Sequence, residues 1–124
     1  MVFVFDTRTG NTRNFLKDLN VPAVKLDKDL LIDEPFVLVT YTTSISGKGN
    51  GVPPETTLKF LEKNHKNLMG VAASGDRNWG IDNFAKCADI ISDLYKVKVL
   101  LKFEKRGTKK DRETFLERVA RLND

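Results

Sequence analysis

Three short polar strings carry residue types suited to holding a ligand without a metal or a paired acid and base. The first is Thr7-Arg8-Thr9-Gly10-Asn11-Thr12. Hydroxyls of Thr7, Thr9 and Thr12 can donate hydrogen bonds, and Gly10 lets the backbone approach an oxyanion closely. A helix starting here adds free N–H groups and the positive end of its dipole. No Gly-Lys-Ser/Thr follows, which excludes a nucleoside-triphosphate loop, and the spacing is not the Gly-x-Gly-x-x-Gly of a dinucleotide site. A terminal monophosphate is the better guest, although the same string also makes an ordinary capped turn.

The second string is Tyr41-Thr42-Thr43, continued by a loop with Ser46, Gly47, Gly49 and Gly51. Glycines there permit peptide orientations closed to other residues, so a carbonyl can turn toward or away from a ligand. The third runs Ser74-Gly75-Asp76 to Trp79-Gly80 and holds the single tryptophan. Trp79 stands among polar residues, so its flat face is offered to a planar ring; Tyr41 offers a second such face.

Continuous apolar runs without alternation mark strands buried on both faces, and the chain has three, Val2–Phe5, Phe36–Tyr41 and Leu68–Ala73, with Val97–Phe103 as the last strand. Ala23–Leu26 is a weaker fifth. Helical spacing places Phe15, Leu16 and Leu19 on a first helix and Leu58, Phe60 and Leu61 on a second, with Pro54 in its first turn. Phe84, Ala88, Ile91 and Leu94, beside Cys87 and Tyr95, line a third. Thr108 caps a fourth whose inner face is Phe115, Leu116, Val119 and Leu122. The order predicts an α/β fold: a doubly wound five-stranded parallel sheet, strand order 2-1-3-4-5, with helices on both faces. Between Leu26 and Phe36 there is room for a loop but hardly for a helix. In such a sheet ligands lie beyond the carboxyl ends of the strands where the winding reverses, and strands one, three and four each end in one of the three strings.

At 124 residues the chain reads as one domain, 1–124, able to bury a core without disulfides. Its 40% hydrophobic and 31% charged content excludes a wholly disordered chain. The longest apolar run, Met1–Phe5, has neither the length of a membrane span nor the flanks of a signal peptide, which points to a cytoplasmic protein. One cysteine and one histidine cannot build a zinc cluster. Cys87 reads as a small buried hydrophobe and His65 as a solvated residue in the last turn of its helix. The net charge of +4 is matched by one stretch, in which Lys102, Lys105, Arg106, Lys109, Lys110 and Arg112 face only Glu104 and Asp111. Such a stretch suits an acidic protein partner or a nucleic acid, and its only aromatic, Phe103, belongs to a strand.

The Thr-x-Thr-Gly-Asn-Thr string between strand and helix resembles the phosphate fingerprint of flavodoxins. The segments Glu34-Pro35-Phe36-Val37-Leu38-Val39-Thr40-Tyr41-Thr42-Thr43 and Gly70-Val71-Ala72-Ala73-Ser74-Gly75-Asp76-Arg77-Asn78-Trp79-Gly80 resemble the NrdI family, flavodoxin-like proteins that serve class Ib ribonucleotide reductase. Val52-Pro53, Phe60-Leu61-Glu62, Asn83-Phe84-Ala85-Lys86 and Lys102-Phe103-Glu104 extend the likeness along the whole chain. The resemblance implies an FMN protein whose reduced cofactor reacts with dioxygen. The resulting oxidant assembles the dimanganese–tyrosyl radical centre of the reductase small subunit. It further implies a flavin or flavodoxin reductase as electron source, and neither membrane nor nucleic acid as partner. Carried over by position, Thr7 to Thr12 hold the phosphate, while Tyr41, Thr42, Thr43 and the glycine loop flank the ring on one side. Ser74, Gly75, Asp76, Trp79 and Gly80 flank it on the other. Two departures stand out: the loop between Thr43 and Val52 is longer than in many relatives, and Asp76 stands where asparagine is common. A general electron-transfer flavodoxin and a basic nucleic-acid-binding module are the competing readings.

Overall fold

The computed structural model describes residues 1–43, 51–80 and 82–123, with the side chains of Trp79 and Asn123 outside that description. Its strands are β1 (Val2–Phe5), β2 (Ala23–Lys25), β3 (Phe36–Tyr41), β4 (Leu68–Gly75) and β5 (Lys98–Glu104). The helices are α1 (Asn11–Asp18), α2 (Glu55–Asn64), α3 (Lys86–Tyr95) and α4 (Lys109–Ala120). All pairings are parallel and the sheet order is β2-β1-β3-β4-β5, the doubly wound arrangement expected from the alternation of elements.

Burial on both faces explains the unbroken apolar strands. Phe36, Leu38, Val71 and Ala73 join Phe60, Leu61, Ala88 and Ile91 from α2 and α3 in one core cluster. Val37, Val39, Ala72 and Phe103 join Phe15, Leu16 and Phe115 from α1 and α4 in the other. Phe15 stacks on Phe103 at 4.2 Å between ring centroids and meets Phe115 edge-on at 5.3 Å, which ties α1, β5 and α4 together.

No helix bridges β2 and β3 among the described residues. The buried Asn64 side chain of α2 holds that connection instead. Its Oδ1 accepts from the Ile32 amide at 2.8 Å, and its Nδ2 donates to the Leu30 and Phe60 carbonyls, each at 2.8 Å. Asn67 adds a bond to the Ile32 carbonyl at 3.0 Å.

Some sequence expectations shift in detail. Pro54 is the extended N-cap of α2 and not part of its first turn. Phe84 precedes α3, and Leu94, in the last turn of that helix, is 57% exposed. Leu116 is 42% exposed because it lies one residue, about 100°, round the helix from the buried Phe115. Thr108 caps α4 as expected, in a reciprocal box with Asp111. His65 is exposed at the end of α2 and stacks on Tyr95 at 4.9 Å.

Candidate functional site

Because β1, β3 and β4 are adjacent, their carboxyl ends deliver three loops to one edge of the sheet. A cleft of about 380 Å³ opens between them. Thr7, Arg8, Thr9, Asn11 and Thr12 line it from the first loop, Tyr41, Thr42 and Thr43 from the second, and Ser74, Gly75 and Asp76 from the third. Gly10 stands within the first loop at φ +90° as the N-cap of α1. Gly51 is buried against Lys86 and Asn83, and Gly80 is exposed at the end of the 3-10 turn Arg77–Trp79; neither is part of the described lining. Ser46, Gly47, Gly49 and the Trp79 side chain fall outside the described residues.

The hydroxyls of the first loop are not equivalent. Thr7 Oγ1 accepts the Gly10 amide at 2.9 Å, which leaves its own proton free to donate. Thr12 is buried and its hydroxyl donates to the Asp6 carbonyl, so its proton is already committed. Thr9 is exposed at the cleft. The amides of Asn11, Thr12 and Arg13 head α1 and have no intrahelical carbonyl to bind. With no acidic residue in that first turn, the helix end keeps its positive field.

The floor is pinned by cross-strand bonds. Thr42 donates to the Ser74 carbonyl through its amide at 2.9 Å and its hydroxyl at 2.8 Å, binding the ends of β3 and β4 together. Thr43 and Val52 exchange two backbone bonds at 2.9 and 2.8 Å, closing the neck of the intervening loop. Beneath them Cys87 Sγ donates to the Tyr41 carbonyl at 3.4 Å. Burial pushes this thiol up to about 12, against a smaller downward pull from the Thr42 hydroxyl. The neutral thiol is therefore favoured by the fold, so the unfolded chain releases its proton first. Stability from this source is complete below the ordinary thiol value of 9.0 and is lost as pH climbs toward 12. We expect alkylation to fail on native protein at neutral pH, and an alkaline loss of up to about 1.4 kcal/mol per pH unit that Cys87→Ala removes. Alkaline denaturation of the two proteins side by side checks it.

In the third loop Asp76 Oδ1 accepts the Asn78 amide at 2.8 Å, capping the 3-10 turn. The same loop is anchored to β5: Glu104 accepts the Arg77 amide at 2.9 Å, and the Arg77 guanidinium lies 4.5 Å over the Phe84 ring. The basic stretch beyond β5 is partly neutralised. Arg106 grips Asp18 of α1 with Nε at 3.1 Å and Nη2 at 2.8 Å, Arg112 approaches the same carboxylate at 3.8 Å, and Lys102 pairs with Asp89. Lys105, Lys109 and Lys110 remain exposed and, among the described residues, form no ion pair.

A second, larger cleft of about 680 Å³ adjoins the first, sharing Thr7 and Tyr41 with it. Asp6, which no sequence pattern singled out as a site residue, forms part of its wall. The Tyr41 hydroxyl between the two clefts is held above its ordinary value by burial first and then by the charge of Asp6, with Arg8 opposing.

The family model described as NrdI Flavodoxin like matches residues 3–117. Protein NrdI of Bacillus licheniformis is 51% identical over 120 residues, which cover 96% of this chain and 87% of that protein. The SPbeta prophage-derived protein NrdI of Bacillus subtilis is 37% identical over 123 residues, covering 96% and 91%. Among solved structures, a short-chain flavodoxin associated with a PDU bacterial microcompartment superposes with a TM-score of 0.67 at 22% identity, covering 99% of this chain and 97% of that one. Oxidised Flavodoxin 2 from Bacillus cereus superposes with a TM-score of 0.60 at 16% identity, covering 99% and 98%.

Proposed function

The chain belongs to the NrdI flavodoxin-like family, and from that premise we propose that it holds FMN in the cleft at the ends of β1, β3 and β4 and activates a class Ib ribonucleotide reductase. The observation that carries the cofactor assignment is the first turn of α1. The helix starts with three amides that lack intrahelical partners, and its Asn11 and Thr12, with the free proton of Thr7 and the exposed Thr9, line a cleft large enough for a small-molecule ligand. Gly75 lines the opposite wall.

When bound, FMN supplies two-electron storage and reaction with dioxygen, yielding an oxidant for a dimanganese centre in the reductase small subunit. The protein's part is to bind and orient. Thr7, Thr9 and the head of α1 fix the phosphate, and Thr42 with Ser74 sets the spacing of the walls. Tyr41, held protonated at neutral pH, offers a neutral aromatic face. Asp76, with one oxygen committed to the Asn78 amide, is part of the cleft lining. A flavin or flavodoxin reductase would reload the cofactor.

Two measurements test the reading. Protein purified from cells should be yellow with one FMN per chain. Its reduced form, mixed with the manganese(II)-loaded small subunit and air, should generate a tyrosyl radical. Bound FMN without radical formation would favour a general electron-transfer flavodoxin, and protein that takes up no FMN would overturn the assignment.

Docking to the small subunit draws on the exposed Lys105, Lys109 and Lys110, because Arg106 and Arg112 are engaged with Asp18. Lys105→Glu with Lys109→Glu is expected to slow association about tenfold at low salt and to leave FMN affinity unchanged. The difference should vanish near 1 M salt, where the Debye length falls to about 3 Å. Stopped-flow rates that agree at every ionic strength would remove the lysines from the interface.

A further inference from the structure

Asp6 is 95% hidden from solvent at the carboxyl end of β1, and it makes no ion pair among the described residues. Its neighbours are hydroxyls. The Oδ2 atom accepts from Thr56 Oγ1 and, at 2.8 Å, from Thr57 Oγ1, both in the first turn of α2. Thr57 is itself fully buried and shares a hydrogen bond of 2.8 Å with Thr40 near the end of β3. On its other side the Asp6 carbonyl accepts the Thr12 hydroxyl, and the Asp6 amide donates to the Val39 carbonyl at 3.0 Å. One residue is therefore bonded to the phosphate-side loop, to β3 and to the start of α2. A buried carboxylate is costly unless it is hydrogen-bonded, and here it is satisfied by two threonines some fifty positions away in sequence.

That connection has a consequence for the cleft. The chain leaving β3 lines the cleft with Tyr41, Thr42 and Thr43, and it returns through Val52 to α2. The Thr43–Val52 pair fixes the neck of the excursion, and Asp6 fixes the point to which the chain returns. We propose that Asp6 is a positioning residue: through Thr56 and Thr57 it sets the ring-side residues Tyr41, Thr42 and Thr43 relative to the phosphate-side loop, so that both ends of the cofactor are met at once. The inference rests on the FMN assignment above and adds the residue that couples the site's two halves. A hydrogen-bonded frame of this kind holds a site in its binding geometry before the ligand arrives, which preserves affinity.

The test uses full-length protein with bound FMN. Asp6→Ala should raise the FMN dissociation constant about tenfold or more, the factor expected when charge-assisted hydrogen bonds are lost. It should also change the visible circular dichroism and the midpoint potential of the bound flavin. Asp6→Asn keeps an oxygen that can accept both hydroxyls and should recover most of the affinity. Thr56→Val with Thr57→Val should reproduce the effect, and adding these changes to Asp6→Ala should cost little more, because all three report one connection. If Asp6→Ala fails to fold, the threonine variants carry the same expectation. Variants that bind FMN as tightly as wild type, with unchanged dichroism and potential, would overturn the positioning role even if their Tm falls. Wild-type protein that binds no FMN would overturn the cofactor assignment and this inference with it. Tight wild-type binding beside indifferent variants overturns this inference alone.

Discussion

Riboflavin is expected to bind about a thousandfold more weakly than FMN, or worse, although the two share the ring and the ribityl chain. The first loop contributes the amides of Asn11, Thr12 and Arg13, the free proton of Thr7 and the hydroxyl of Thr9. Hydrogen bonds to a charged group are worth about 1.5–3 kcal/mol each, so losing three costs at least ~4.5 kcal/mol, more than a thousandfold in affinity. The dipole of α1 adds to this at an end that carries no acidic side chain. Two variants separate the contributions. Thr9→Ala should weaken FMN about tenfold and leave riboflavin untouched, because the phosphate-binding role proposed for its hydroxyl has no counterpart in riboflavin. Thr12→Val should act on both ligands, since the Thr12 hydroxyl is spent on the Asp6 carbonyl and holds the loop in shape. FMN binding should also weaken as salt is raised, while riboflavin binding should not. Equal affinities for the two ligands in isothermal titration would mean that the first loop holds no phosphate.

What could be read from the sequence follows the range of the interactions concerned. The boundaries of β3 at Phe36 and Tyr41 coincide with the unbroken apolar run, because a strand covered on both faces has no polar side to blur its ends. The cap of α4 is equally local, being closed between Thr108 and Asp111. The convergence of the three loops followed from strand order, itself dictated by alternating strands and helices. Long-range polar contacts left no such trace. Asn64 replaces the missing crossover helix by bonding 32 and 34 positions back, and nothing in Lys63-Asn64-His65 signals that task. Arg106 and Arg112 read as members of a basic patch along the sequence, yet both lie against Asp18, 88 residues before Arg106. Asp6 likewise has its side-chain partners on α2, some fifty positions away. Charge counted along a sequence overstates the charge a surface presents, because partners arrive from elsewhere in the chain.

Gly75→Ala is expected to be the most damaging glycine-to-alanine change among the described glycines. A Cβ at Gly75 would lie 2.5 Å from the Ala85 amide nitrogen and 3.0 Å from its Cα, both backbone atoms that cannot rotate away. Neither side can yield cheaply. Gly75 is paired with Glu104 of β5, and its neighbour Ser74 holds Thr42 of β3 through two bonds. Ala85 is fully buried at the N-cap of α3 and already sits in the left-handed region at φ 48°. Overpacking of this kind costs about 1–3 kcal/mol even where side chains can adjust, so a backbone collision should reach about 3 kcal/mol or more. In thermal unfolding that corresponds to a fall of roughly 10 °C. Gly80→Ala supplies the contrast: its Cβ would meet nothing within 4 Å, but φ +86° with ψ 160° is a backbone region essentially confined to glycine, leaving only a conformational penalty of about 1–3 kcal/mol. The pair thus separates steric approach from backbone strain. Adding Ala85→Gly to Gly75→Ala should restore part of the loss, because glycine at position 85 relieves the left-handed strain and removes the methyl that would lie 3.3 Å from the new one. If Gly75→Ala unfolds within about 0.5 kcal/mol of wild type, the close approach of β4 to the start of α3 is not present in solution, and the third wall of the cleft would have to be drawn elsewhere.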